Sequence, residues 1–212
     1  MQIVSKFEKI NKEISEITKK TTIVVVTKNQ SFEKIQQLID IKHYHFGENK
    51  VQDAMKKWTN FKSENVHIKL HFIGRLQTNK VKDVIGLFDY IHSLDSIRLA
   101  DVLSFEENKQ KKKLKYFIQV NIGNEAQKGG VINSELSSLV HYCKFEAKLD
   151  ICGLMCMPPN NINPDDFFKK TKELNDNYSF DHLSMGMSND YQSAIKYGAT
   201  FVRIGSAIFN ND

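Results

Sequence analysis

The 212-residue sequence is poor in several residues that mark special environments: it has three cysteines, three prolines and one tryptophan. Cys143, Cys152 and Cys156 are an odd, sparse set, which excludes a disulfide framework and fits a reducing compartment. The few prolines, beside many Lys, Asn and Ile, are a compositional bias without functional content, and no linker or low-complexity tract is visible. No run is long and apolar enough to span a bilayer. The first twenty residues are rich in Lys and Glu and lack the apolar core of a signal peptide. A cytoplasmic protein is expected. A strong charge of one sign is also missing, since 30 basic and 25 acidic side chains leave +5. That balance suits phosphorylated small molecules. Without aromatic interleaving or a known motif, it gives no sign of a nucleic-acid partner. The densest basic run, KQKKKLK at 109–115, reads as a solvated loop entering a strand.

What the sequence does have is alternation. Ile3, Phe7, Ile10, Ile14 and Ile17 recur every three or four residues, which predicts an opening amphipathic helix. Apolar runs at 22–27, 43–46, 66–73, 90–94, 114–122, 149–157, 182–185 and 200–205 read as buried strands. Helical patterns follow them at 31–41, 48–58, 79–88, 96–109, 133–145, 164–177, 189–198 and 206–209. Ser31 and Asn133 or Ser134 are candidate N-caps, Pro164 stands at a helix start, and Gly198 is a stop. Strands apolar on both faces need helices on both faces of a parallel sheet. Eight such units in a chain of this length predict an α/β fold, a single (β/α)8 TIM barrel over 1–212, with residues 1–20 as an extra helix packed on it. An open doubly wound sheet is the alternative, because periodicity counts strands without closing them.

In such a barrel the functional face lies at the C-terminal ends of the strands. Those ends carry Lys28, FGEN (46–49), HFIGRLQTNK (71–80), Asp95, NIGNEAQKGG (121–130), MCMPP, SMGMSND (184–190) and RIGSAIF (203–209). The loops after strands seven and eight are the usual phosphate seat. Here they bring Gly186, Ser188, Gly205 and Ser206, with tight turns as the plainer alternative for the two glycines. Lys28 ends the run TIVVVT. An amine at the mouth of an apolar barrel loses hydration, which favours its nucleophilic form, and it would condense with an aldehyde. An aldehyde and a phosphate occur together in pyridoxal 5'-phosphate (PLP). A snorkelling surface lysine is the plain alternative.

VVVTKN, HFGENKVQD, HFIGRLQTNKVKDVI, GLMCMPP and SMGMSNDYQSAIKYGATFVRIGSAIF together resemble the PLP homeostasis protein family, in order and at that family's spacing from about residue 22 to 209. The resemblance implies a barrel similar to the N-terminal barrel of alanine racemase. It implies that Lys28 carries PLP as a covalent internal aldimine and that Asn49 is the asparagine of the family's FGEN. It also implies that Arg203 faces the pyridine nitrogen, that Ser188, Gly205 and Ser206 hold the phosphate, and that His71 lines the pocket. Ser206, Asn210 and Cys156 depart from the family's usual Thr, Gly and small or apolar residues. An arginine at the ring nitrogen donates a hydrogen bond and gives no proton, so the ring is a poor electron sink. The eight units use up the chain, so no extra β domain is expected to supply a second acid/base group, and Tyr191 or His71 would have to replace it. The implied role is intracellular PLP storage, supply or protection, without strong catalysis. PLP and PLP-dependent apo-enzymes are the implied partners, and a monomer is expected. A PLP-dependent amino-acid racemase is the alternative.

Other residues carry less. His43 with His45, His67 with His71, and Cys152 with Cys156 have spacings that put each pair on one strand face, but no tight ligand set joins them and no metal site is expected. Asp95 reads either as a pocket residue or as the N-cap of the next helix. Val51, Met55 and Trp58 share a helical face and read as core.

Overall fold

Strands that are apolar on both faces find cover in a closed sheet whose interior is filled by side chains and whose outside is covered by helices. A computed structural model of the protein, which describes residues 2–123, 125, 129–159 and 162–210, has this arrangement. The strands are β1 (Thr22–Val26), β2 (His45–Glu48), β3 (Lys69–Phe72), β4 (Tyr90–Leu94), β5 (Lys115–Val120), β6 (Asp150–Cys156), β7 (His182–Met187) and β8 (Phe201–Ile204). All pairs are parallel, and β1 also pairs with β8, with Val24 beside Arg203, so the barrel is closed. The helices are α1 (Gln2–Ile17), α2 (Phe32–Asp40), α3 (Val51–Glu64), α4 (Val81–Leu87), α5 (Ile97–Gln110), α6 (Asn133–His141), α7 (Asp165–Asn177), α8 (Tyr191–Lys196) and α9 (Ser206–Phe209). A 3-10 turn leads into α4 and a π-helical turn, Tyr142–Glu146, follows α6. The closed barrel replaces the open-sheet alternative. Of the segment 121–130 after β5, Asn124 and residues 126–128 lie outside the described residues.

Helix α1 buries Phe7, Ile10 and Ile14 against the outer shell, whereas Ile17, the last residue of the stripe, is exposed where the helix ends. Glu13 ties α1 to α8 by accepting hydrogen bonds from the Tyr191 hydroxyl (2.6 Å) and the Gln192 amide (3.2 Å). Lys6 Nζ donates to the Asn210 carbonyl at 2.8 Å. Asn210 has φ −73° and ψ 138°, an extended conformation open to any residue, so an asparagine serves where the family has glycine. The basic run after α5 is committed to the fold. Lys112 Nζ donates to the Gly86 carbonyl at 3.0 Å, Lys113 pairs with the buried Glu107 at 2.9 Å, and Lys111 is the left-handed C-cap of α5.

Two spacing arguments fail for identifiable reasons. The register between β5 and β6 shifts between Tyr116 and Phe117, which face Ile151 and Gly153, so Cys152 is an extra residue that breaks the two-residue alternation. Cys152 therefore packs in the barrel interior with Val24, Phe117, Met155 and Phe201, while Cys156 packs in the outer shell. His43 precedes β2. Its ring packs against Phe7 and Phe46, and its Nε2 bonds the His45 carbonyl, so it shares no strand face with His45. Likewise the N-cap of α5 is Ser96, whose hydroxyl accepts from Leu99 N–H, and not Asp95.

One buried carboxylate braces the end of β1. Glu48 Oε1 accepts from Thr27 Oγ1 (2.6 Å), Lys57 Nζ (2.7 Å) and Trp58 Nε1 (3.1 Å). Lys57 Nζ also donates to the Thr27 carbonyl at 2.7 Å, and Thr27 N–H to the Gly47 carbonyl at 2.9 Å. Trp58 is core, as expected, but its indole N–H also has this polar duty. Replacing Glu48 by Ala leaves the Lys57 ammonium, whose side chain is 13% exposed, without its carboxylate. Breaking such a pair costs about 3–5 kcal/mol. Glu48→Ala is expected to lower the urea midpoint accordingly, and Glu48→Gln, which keeps an acceptor for Thr27 and Trp58, to lower it less.

The interior also holds imidazoles. His71 and His92 are fully buried, and burial pushes both pKa values well below 6.5. His92 also faces the cationic Arg203, and His71 faces His45, His43 and Lys62. His45, which faces Lys69 and Asp89, is shifted down chiefly by burial, and His43 is pulled down to about 4 for the same reason. These groups stay neutral in the fold and take up protons on unfolding below about pH 6.5. Their contribution to stability is therefore complete above that pH and is lost as the pH falls toward 4, by about 1.4 kcal/mol per pH unit for each fully neutral histidine. Urea unfolding at pH 7.5 and pH 5 should show this as a lower midpoint in acid.

Candidate functional site

The C-terminal rim of the barrel contains a cleft of about 840 Å³ between the ends of β1, β2, β6, β7 and β8. Lys28, Asn49, Ser188, Arg203, Gly205 and Ser206 all line it, so six of the seven sequence-predicted residues come together in one place. His71 is the exception. It is fully buried below the rim, and both ring nitrogens bond other histidines, so it does not line the cleft.

Lys28 follows the braced Thr27 and precedes Asn29, whose φ of 58° makes a sharp left-handed turn. The strand stops at Val26, so Lys28 stands beyond the barrel interior and is exposed. The loss of hydration expected for it is not present. What the position provides is a fixed backbone direction and a flexible amine over the cleft. Asn49 is set by the signature glycine of the β3 loop. A Cβ on Gly74 would lie 2.2 Å from the Asn49 carbonyl oxygen, so only glycine lets the two segments pass.

Opposite the amine, β8 presents Arg203, which is 4% exposed. Its Nη1 donates to Ser184 Oγ at 2.6 Å and its Nη2 to the Cys156 carbonyl at 3.0 Å. Two of five N–H donors are thereby taken, and the planar group still borders the cleft. Burial lowers its pKa from the ordinary guanidinium value, yet a guanidinium stays protonated and can only donate.

The third wall joins β7 and β8. Ser188 Oγ accepts from Gly205 N–H (3.4 Å) and Ala207 N–H (3.3 Å), which ties the two loops together, and Ser206 opens α9 at the cleft. Asp190 accepts from Met187 N–H at 2.6 Å and closes the β7 loop. Gly186 belongs to the fold and not to the cleft. Its φ is +92°, and a Cβ there would meet the Ala194 Cβ of α8 at 2.6 Å, so the tight-turn reading applies to it.

Tyr191, a candidate for acid/base work, points away from this cleft toward Glu13. The three thiols are buried, with pKa values pushed up by burial to about 12 for Cys143 and Cys152 and about 11 for Cys156, so none is a ready nucleophile. Among the described residues no group of three or more His, Cys, Asp or Glu is arranged to hold a metal ion, and no helix is long and apolar enough to cross a membrane. Sequence reasoning missed Ser184 and His92, which support Arg203 from below. A histidine inside the apolar run YIHSL was the available signal. Asp95 lines a separate cleft with Arg75 and Arg98.

Comparison with known proteins agrees with this geometry. Residues 5–211 match the family described as "Alanine racemase, N-terminal domain". The pyridoxal phosphate homeostasis protein of Aquifex aeolicus is 43% identical over 173 residues, covering 77% of this chain and 75% of that protein. The protein of the same name from Haemophilus influenzae is 34% identical over 217 residues, covering 98% and 92%. Among solved structures, PipY of Synechococcus elongatus with PLP bound superposes with a TM-score of 0.89 at 26% identity, covering 99% of this chain and all of that one. An alanine racemase of Clostridium difficile, 10% identical with a TM-score of 0.78 over 57% of its own length, shares the fold alone. By this family match and these relatives, the chain belongs to the pyridoxal phosphate homeostasis proteins of the alanine racemase N-terminal domain family.

Proposed function

We propose that this protein binds PLP and serves PLP homeostasis in the cytoplasm, by storing, supplying or protecting the cofactor, without strong catalysis of its own. The observation that carries this is the pairing of an exposed amine, Lys28, with a buried guanidinium, Arg203, across one cleft on the neighbouring strands β1 and β8. PLP, when bound, supplies an aldehyde for capture and a pyridine ring. Lys28, the exposed amine of the cleft, would hold PLP through that aldehyde. Arg203, which can only donate, would face the ring nitrogen as a hydrogen-bond donor and could give it no proton. Ser188, Gly205 and Ser206 would hold the phosphate, and Asn49 would border the ring. Residues 1–212 act as one binding unit, a monomer whose partners are PLP and PLP-dependent apo-enzymes.

The non-catalytic reading is favoured by what surrounds the cleft. A racemase needs a second proton carrier facing the lysine. Tyr191 is bonded to Glu13, and His71 is held inside the barrel. The α-proton of amino acids added to the PLP-loaded protein in deuterated water should exchange no faster than with free PLP. Sustained faster exchange would favour the racemase.

The anchor is tested by borohydride reduction of the PLP-incubated protein, followed by digestion and mass spectrometry. The added mass is expected on the peptide containing Lys28 and absent in a folded Lys28→Ala variant. Labelling at a different lysine would overturn the assignment.

A further inference from the structure

Arg203 does more to the barrel than border the cleft. Below it runs an unbroken series of contacts from the rim toward the opposite end of the strands. Arg203 Nη1 reaches Ser184 Oγ at 2.6 Å, Ser184 Oγ reaches His92 Nδ1 at 2.8 Å, His92 Nε2 reaches His71 Nδ1 at 2.9 Å, and His71 Nε2 reaches His45 Nδ1 at 3.0 Å. His45 is partly exposed, whereas His71, His92, Ser184 and Arg203 are buried.

The direction of this chain follows from one fact: a guanidinium has no acceptor. Ser184 Oγ must accept from Arg203, and its single hydroxyl proton then needs an acceptor. Among the described residues His92 Nδ1 is the acceptor in contact with it. With Nδ1 accepting, a neutral His92 carries its proton on Nε2 and donates to His71 Nδ1. The same step repeats from His71 Nε2 to His45 Nδ1. A proton added to His71 or His92 would set donor against donor, which agrees with the neutral state that burial already favours. Ring packing fixes the imidazoles as well, since His71 stacks on Tyr90 with centroids 4.3 Å apart and His92 on Phe117 at 4.3 Å.

We propose that Ser184 and His92 are positioning residues for Arg203, and that a one-way hydrogen-bond chain through the barrel interior holds His92, His71 and His45 all in the Nε2–H tautomer. The chain orients the guanidinium from below, so that the donors left over face the cleft. The effect on PLP rests on the function proposed above, while the tautomers are a property of the cofactor-free protein and are tested separately.

The first test is nitrogen-15 NMR of the histidine rings in the cofactor-free protein near neutral pH. Nε2–H signals are expected for His45, His71 and His92. An Nδ1–H tautomer or an imidazolium at His71 or His92 would overturn the chain, whatever the protein does with PLP. The second test compares His92→Asn with His92→Leu. Asparagine can place its amide oxygen where Nδ1 stood and accept from Ser184, whereas leucine cannot. PLP affinity, followed by titration, should fall about tenfold or more in His92→Leu, the fold-change of one lost charge-assisted contact, and stay close to that of the parent in His92→Asn. Equal affinities in the two variants would remove the positioning role. Should neither variant fold, the ring tautomers of the unaltered protein decide. A parent protein that takes up no PLP but shows the three Nε2–H rings would retire the functional reading and keep the chain.

Discussion

A guanidinium placed at the mouth of a closed barrel must find acceptors within the barrel, because the helices outside cannot reach it. That requirement shapes the centre of this protein. The Cys156 carbonyl turns toward Arg203 from β6, Ser184 does so from β7, and histidines from β4, β3 and β2 continue the polar path through what is otherwise a packing of Val24, Phe117, Met155 and Phe201. Small barrels of this type usually fill their interior with branched aliphatic residues. Here part of that volume is given to imidazoles, which pack as flat apolar bodies and pass a hydrogen bond along at their edges. His71 and His92 are acceptable in a buried place because both nitrogens of each are used, and His45, bonded through Nδ1, is partly exposed.

The two cleft residues that matter most are held by opposite means. Lys28 is aimed from outside the sheet, where Glu48, Lys57 and Trp58 grip Thr27 between β2 and α3. Arg203 is aimed from inside. The amine is thereby left mobile on a rigid stem, while the guanidinium is rigid throughout.

Much of this was legible in the sequence. The strand and helix count gave the barrel because apolar runs and helical stripes alternate without interruption, and the polar strand ends gave the cleft because parallel strands present one end to one rim. The family motifs picked out Lys28, Asn49, Ser188, Arg203, Gly205 and Ser206. The failures have local causes. One extra residue in β6 turned Cys152 inward, which no spacing rule reveals. His71 opens a motif and so reads as a rim residue, whereas its place in the pleat points it down the barrel. A strand end reads as barrel interior, but Lys28 lies past the end of β1, next to the turn at Asn29, and is exposed. Glu48 stood in plain view inside FGEN, but its role needs Lys57 and Trp58 from the next helix, and the helical pattern showed those two only as surface and core.

The closing seam between β1 and β8 has a consequence for how the protein comes into being. Lys28 follows the first strand and Arg203 lies on the last, and the two strands are neighbours only once the sheet has closed. Contacts this distant in sequence form late in folding. During synthesis Lys28 emerges early, and it meets Arg203 and the loops after β7 and β8 across one cleft only when the sheet is completed. The cleft that joins Lys28 to Arg203 is thus a property of the closed barrel, and no shorter stretch of the chain contains it.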